Sequence, residues 1–370
     1  MKKKILIIQQ NLQGGGAEKV LCDILQNFDY DIFDVTLLLI YRKGVYLESL
    51  PKNVKMAALF GEKLPIVARV LILLKLYRFL HLYYNFYINF FLKNREFDTT
   101  ISFMEGITTL FHSFIFKKSK KNISWVHTDL EHNNWCKSDF ISVYHQKKVY
   151  QMMDEIIFVS KDAQNAYSNI FGANRGKIIY NIIDRNAIRC KADEYSIPHS
   201  KFTVINVGRL IPVKQQSLII EIAEKIKRNG LDIEFWILGD GELKDVLKQE
   251  IKFRKLDDCV KMFGFIPNPY PYIKAADIFL LTSLTEGFSL VVCESLCLGK
   301  SVISTNITGP AEILSDGSGI LCQPNPDEII QQIEKLYSNP SLIDELREKA
   351  LERSKIFDVE NTMAQIYSVL

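Results

Sequence analysis

Glu286 and Glu294, eight residues apart, lie in the run LTSLTEGFSLVVCESLCLGKSVIST, where an apolar strand pattern meets a Gly turn and then a short amphipathic helix pattern. Strand-to-helix junctions of this kind are where α/β proteins place ligands. Glu286 falls in the loop before Gly287, and Glu294 falls within the helix pattern. Carboxylates so placed accept paired hydrogen bonds from hydroxyl groups, those of a hexose for one and of a ribose for the other. The backbone amides of Phe288, Ser289 and Leu290, at the helix start, suit a phosphate. Paired carboxylates also act as general acid and base across a scissile bond, so the spacing alone leaves both chemistries open. A surface glutamate without a role is the ordinary reading of either residue taken singly.

Basic residues complete the constellation. GRLIPVK follows the strand pattern FTVINV, so Arg209 and Lys214 emerge at its carboxyl end. The planar fork of Arg and the point charge of Lys together suit the oxygens of a diphosphate. The next junction, GDGE, brings Gly239 and Gly241, which can wall a nucleotide. Near the N-terminus, NLQGGGAEKVL sets Gly14, Gly15 and Gly16 between a strand and a helix. There the backbone comes close to a ligand and free N–H groups face an anion. A tight βα turn explains the same three glycines. ISWVHTD ends a strand pattern and delivers His127 to the same edge, where a hydrogen-bonded strand-end histidine is the competing reading.

The elements that must position these residues follow a βαβ rhythm. Strands are expected at 5–8, 35–40, 98–103, 122–126 and 155–159, then at 202–208, 234–239, 260–264, 277–283, 301–305 and 319–322, with a helix from about Ala17. The chain is too long for one ordinary core and suits two. The expected division is a Rossmann-like domain at 1–180, a polar linker at 181–200, a second Rossmann-like domain at 201–350, and a C-terminal helix at 351–370 that packs back on the first. Two such domains would face each other across a cleft.

Composition removes other classes. A net charge of +3 is too small to argue for nucleic acid. The seven cysteines are scattered without paired spacing and read as buried thiols in a reducing compartment. MKKKILIIQQ reads as a first strand, not a signal peptide. Asp129, Glu131 and His132 lack a metal-ligand spacing, so no required metal is expected. LGKS is no P-loop, because the glycine needed five residues before Gly299 is Glu294.

Residues 62–95 are rich in leucine and aromatics and carry Arg69, Lys75, Arg78, Lys93 and Arg95. The segment is too interrupted to span a bilayer. It reads as a helix that covers the first sheet, or as one that lies against an anionic membrane surface, or as both through opposite faces. A second basic run, Lys117, Lys118, Lys120 and Lys121, suits a phosphate, a membrane surface or a solvated loop.

In order and spacing, GGGAEKVL, GRLIPVK, GDGE, EGFSLVVCESLCLGKSVIST, GPAEIL and DGSGIL resemble the retaining glycosyltransferases of family 4, with the GT-B fold. The resemblance spans nearly the whole chain. It implies that Arg209 and Lys214 bind the donor diphosphate, Glu286 the donor sugar and Glu294 the nucleotide ribose. It also implies that Gly15 and Gly16 approach the diphosphate from the other domain and that His127 stands near the donor sugar. No cofactor is implied beyond a nucleotide diphosphate sugar, UDP-linked, and the acceptor is a glycan, lipid-linked or free. Bacterial capsule, O-antigen or exopolysaccharide assembly would fit, with the protein cytoplasmic and peripheral on the inner face of the membrane. The chain departs from the family at Lys300, where proline is usual, and at Thr308, where glycine is frequent. Competing expectations are a catalytically silent nucleotide-sugar-binding subunit, a GT-B epimerase, and a phosphorylase, for which no motif supplies the pyridoxal phosphate lysine.

Overall fold

The structure, a computed structural model, describes residues 2–132, 134–172 and 176–370. It divides into two compact units, residues 1–182 with 359–370, and residues 183–358.

The first unit is built on a parallel sheet of β1 (Lys3–Gln9), β2 (Phe33–Tyr41), β3 (Lys55–Phe60), β4 (Phe97–Ser102), β5 (Ser119–Val126), β6 (Glu155–Phe158) and β7 (Lys177–Ile178). Its spatial order is β3-β2-β1-β4-β5-β6-β7, so the strand order reverses between β1 and β4. Ile5, Leu6, Ile7 and Ile8 are all buried, as expected for a strand covered on both faces. β3 was not anticipated. Its sequence, KMAALF, has no β-branched residue and only its last two positions are buried, so it carries neither usual strand signal.

Residues 62–95 form two helices, Ile66–Leu73 and Tyr77–Phe91, broken at Lys75, which takes φ +55°. Ala68, Leu80, Tyr84 and Ile88 pack with Leu6, Ile8 and Leu38 of the sheet in one core. The opposite face leaves Ile66, Leu73, Phe79, Leu82, Phe86 and Phe90 exposed.

The second unit carries a parallel sheet of β8 (Phe202–Val207), β9 (Ile233–Leu238), β10 (Val260–Gly264), β11 (Ile278–Leu281), β12 (Ser301–Thr305) and β13 (Ile320–Cys322), in the order β10-β9-β8-β11-β12-β13. Here the order reverses between β8 and β11. The helix Gln216–Arg228 buries Ile219, Ile220, Ile222, Ala223 and Ile226 on one stripe against this sheet.

The stretch 181–200, expected as a linker, is partly folded. Asp184 accepts a hydrogen bond from the Ala187 amide and caps a helix at Arg185–Ala192, which buries Ile188 and Ala192 and belongs to the second unit. At the other end the chain forms the helix Pro340–Arg353, a short turn, and a last helix, Val359–Val369, that joins the first unit. Tyr367 there stacks on Phe33, and its hydroxyl accepts the Asp29 amide at 2.8 Å and donates to Asn27 O at 3.1 Å. Thr99 donates to Leu370 O at 2.8 Å.

Candidate functional site

The carboxyl ends of β8, β9, β11 and β12 make one continuous edge in the second unit, and the basic and acidic residues singled out in its sequence lie along it. Gly208 N donates to Leu238 O, and Leu210 N to Asp240 O, which ties the loops after β8 and β9 together. A Cβ on Gly239 would fall 1.8 Å from Gly208 O, and one on Gly241 would fall 2.4 Å from Leu210 O, so only glycine allows this approach. Arg209 projects from that loop exposed, and among the described residues no side chain pairs with it.

The loops after β8 and β11 meet through Leu284 N to Val213 O at 2.8 Å and Thr282 Oγ1 to Lys214 O at 2.9 Å. This docking brings Lys214 Nζ to 2.5 Å from Glu286 Oε1. Both side chains are sheltered, 20% and 13% exposed. Ser283 Oγ donates to the same Oε1 at 2.8 Å, and among the described residues no donor reaches Oε2. A carboxylate oriented through one oxygen keeps the other for a hydroxyl. Mutual neutralisation offsets part of the cost of sheltering the two charges, so each holds the other in place.

The Glu286 backbone is fixed as well. Thr308 Oγ1 donates to Glu286 O at 3.2 Å, and Gly309, at φ +83°, lies so close that a Cβ would meet Glu286 O at 3.0 Å. Thr308, a departure at sequence level, thus serves as a backbone anchor.

Glu294 lies in the helix Leu290–Cys297, 6% exposed, and its Oε1 accepts the Tyr270 hydroxyl at 3.1 Å. Phe288 and Ser289 are buried at the start of this helix, with Phe288 edge-on to Phe357 at 5.6 Å. The helix was expected to be amphipathic. Every residue from Val292 to Cys297 is instead buried, since it runs among β12 and the helices Arg185–Ala192 and Pro340–Arg353, and small Cys and Ser side chains let those neighbours come close. Glu286 and Glu294 do not touch: the first is tied to Lys214 and the second to Tyr270.

In the first unit, Gly14 takes φ +114°, Gly15 caps the helix Gly16–Gln26 without a side chain, and Gly16 is its first residue. His127 follows β5. Its ring packs on Phe103 at 5.0 Å, and its buried Nε2 has no partner. Burial pushes its pKa down to about 4, which keeps the imidazole neutral.

Three partners escaped the sequence reading. Ser283 and Tyr270 belong to no motif. Glu105 is 1% exposed, and its carboxylate accepts the His127 amide at 2.9 Å, the Thr128 hydroxyl and the Trp135 indole N–H at 3.2 Å. Its signal was a lone acid after an apolar strand and before Gly106, the same grammar as Glu286 before Gly287. His132 pairs with Asp129 at 2.8 Å, and among the described residues no three metal-ligating side chains cluster.

The fold and this edge define a doubly wound pair of Rossmann-like units of the GT-B class, matched over the whole chain by solved structures of that kind. Anabaena HepE, solved with UDP, superposes with a TM-score of 0.76 at 21% identity, covering 100% of this chain and 99% of that one. S. aureus TarM, solved with UDP among its ligands, gives 0.76 at 14% identity over 100% and 99% of the two chains.

At the sequence level, residues 189–355 match the model of the Glycosyl transferases group 1 family. The chain is 35% identical over 185 residues to the N-acetylgalactosamine-N,N'-diacetylbacillosaminyl-diphospho-undecaprenol 4-alpha-N-acetylgalactosaminyltransferase of Campylobacter jejuni, covering 49% of this chain and 50% of that protein. It is 28% identical over 232 residues to the O-antigen biosynthesis glycosyltransferase WclY of Escherichia coli, covering 61% of each. The matches thus span about half to under two thirds of these relatives.

Proposed function

We propose that the protein is a retaining glycosyltransferase that moves a sugar from a UDP-linked donor to a hydroxyl of a lipid-linked glycan, in cell-surface polysaccharide synthesis. The observation that carries this reading is the sheltered Lys214–Glu286 pair beside exposed Arg209. A fixed cation, a second cation and a carboxylate with one open oxygen match what a sugar diphosphate presents.

In this reading Arg209 and Lys214 hold the diphosphate and neutralise the charge that grows as it leaves. Glu286 Oε2 accepts a donor-sugar hydroxyl, Glu294 takes the ribose, and the amides of Phe288, Ser289 and Leu290 meet phosphate oxygens. The bond from the anomeric carbon to the phosphate oxygen breaks while the acceptor oxygen bonds on the same face. The acceptor proton passes to the departing phosphate oxygen, so no protein nucleophile is required. Within the first unit, the helix start at Gly15 and Gly16 suits an anion, and neutral His127 suits a hydroxyl. No metal enters the scheme.

The UDP complexes of HepE and the undecaprenol-linked substrate in the Campylobacter relative's name support the donor and acceptor classes. The exposed apolar face of residues 66–90, set among Arg69, Lys75 and Arg78, supports work at an anionic membrane surface. No helix among the described residues is long and apolar enough to cross a membrane.

A thermal-shift panel of UDP, GDP and ADP sugars tests the donor, since a ligand at ~100 times its dissociation constant stabilises by ~2.7 kcal/mol. Lys214→Ala should then cost roughly 10²–10³ in transfer rate, by analogy with the removal of one oxyanion donor. Turnover at the parental rate would remove Lys214 from the mechanism, and binding without any turnover would favour a silent partner subunit.

A further inference from the structure

The basic run at 117–120 takes no part in the donor edge. In the parallel sheet of the first unit β4 lies between β1 and β5, so the amino ends of the three strands stand side by side. Lys2, Lys3 and Lys4 therefore meet Lys117, Lys118 and Lys120 across Glu96 and Asp98, around a groove of about 600 Å³. Lys121, which pairs with Thr99 further along β5, is not part of the lining. The groove is at the opposite end of the sheet from Gly15 and His127, about 20 Å away along β1.

Charge concentrates here. Six lysines less two acids leave +4 in this groove, against +3 for the whole chain, so all other residues together sum to −1. Part of the lysine set is anchored. Asp98 accepts the Lys4 amide at 2.9 Å through one oxygen and Lys120 Nζ at 2.7 Å through the other, and Lys2 Nζ donates to Tyr30 O at 2.6 Å. The rest is unspent: among the described residues the ammonium groups of Lys3, Lys4 and Lys118 have no hydrogen-bond or ion-pair partner, and Lys117 Nζ meets only the Phe116 ring, 5.9 Å away. Like charges gathered in this way repel one another, and an anion seated among them turns that repulsion into attraction.

The residue types narrow the anion. No arginine fork lines the groove for planar, bidentate recognition of a carboxylate, whereas ammonium groups are point charges that suit phosphate oxygens in any orientation. Phe97, the aromatic of the lining, is 7% exposed and gives nucleic-acid bases no platform. The ends of β1 and β5, one strand apart on either side of β4, are separated by about 10 Å, a span that calls for more than one phosphate.

We propose that this groove binds clustered phosphates, at a site separate from the donor edge. Such a cluster comes from an oligophosphate in solution or from neighbouring headgroups of an anionic phospholipid surface, and the recognition chemistry is the same for both. The inference uses no residue of the second unit, so it stands or falls apart from the donor reading.

The test uses the full chain and two probes: sodium triphosphate by calorimetry, and phosphatidylglycerol vesicles by co-sedimentation with phosphatidylcholine vesicles as the neutral blank. Lys3→Gln with Lys117→Gln and Lys118→Gln removes three charges that hold no internal hydrogen bond. This variant should weaken the bound probe roughly 100-fold at low salt, about fivefold per lysine. Lys248→Gln with Lys252→Gln and Lys335→Gln, all exposed in the second unit, changes the net charge equally and should leave binding within about twofold. Asp98→Asn keeps an acceptor for the Lys4 amide and removes a negative charge, so it should tighten binding about threefold.

Triphosphate held by the parent and lost by the groove variant upholds the inference with a soluble oligophosphate as ligand. Vesicle binding alone, lost in the same way, upholds it with lipid headgroups as ligand. Equal weakening by the two triple variants, unchanged binding by the groove variant, or a parent that binds neither probe overturns it.

Discussion

His112 is fully buried in the first unit, between Ser102 Oγ at 3.2 Å and Asn122 Oδ1 at 3.1 Å. Burial lowers its pKa from 6.5 to about 4, against smaller opposing contributions from Asn122 and Asp154. The unfolded chain then binds this proton more readily than the folded one, so the stability it confers is present above pH 6.5 and is lost as pH falls through about 4. The lowering corresponds to on the order of 3 kcal/mol. His112→Gln, which cannot titrate, should flatten the fall in urea midpoint between pH 6.5 and 4; an unchanged slope would place the acid sensitivity elsewhere. Lys300 is buried in a similar way, donating at 2.7 Å to both Lys274 O and Ala276 O with its pKa pushed down to about 8. The residue that departs from the family's proline thus clasps the end of the helix Tyr270–Ala275. At this scale the sequence was readable where a charge stood at a strand end inside a longer motif, as Lys214 and Glu286 did, whereas Glu105, a lone acid in the same setting, was missed. Partners such as Tyr270 and Ser283 were not, because nothing local marks a hydroxyl that becomes a ligand only when distant loops dock.

Elements were legible in proportion to their burial. β1, β8 and β12 are each buried over at least four consecutive residues rich in Val and Ile and emerged within one or two residues of expectation, whereas β3, half-buried and built from Met, Ala and Leu, left no period to follow. The helix at Arg185–Ala192 was hidden for the opposite reason: a polar sequence buries only Ile188 and Ala192, and its cap, Asp184, looks like a linker residue. The glycines of the βα turns, weak signals singly, are explained only once two loops are seen in contact. Gly241→Ala should therefore lower stability by about 2 kcal/mol or more, since the Cβ collides with backbone that cannot move without parting the loops after β8 and β9. Gly230, with open space around it, is the matched control, and its φ of +75° limits the cost there to local backbone strain of about 1 kcal/mol. Equal urea midpoints for Gly241→Ala and Gly230→Ala would refute the close-approach account.

For the whole molecule, the first unit carries a second surface of interest. Phe86 and Phe90 stack at 6.2 Å on the outer face of the helix Tyr77–Phe91, and Leu73 stands out from the helix before it. Phe86→Ser with Phe90→Ser should reduce co-sedimentation with phosphatidylglycerol vesicles several-fold and leave thermal stability unchanged, because both rings are exposed. Equal sedimentation of variant and parent would remove this face as a lipid contact. The return of Val359–Val369 to the first unit has a different kind of consequence, in the order of events during synthesis. Residues 183–358 form an uninterrupted stretch, so the second unit can finish folding as soon as that stretch has left the ribosome. The first unit is translated earlier yet completed later, since Phe33, Asp29 and Thr99 must wait for Tyr367 and Leu370. A nascent chain stalled before residue 359 should hold a finished second unit and a first unit still open to protease.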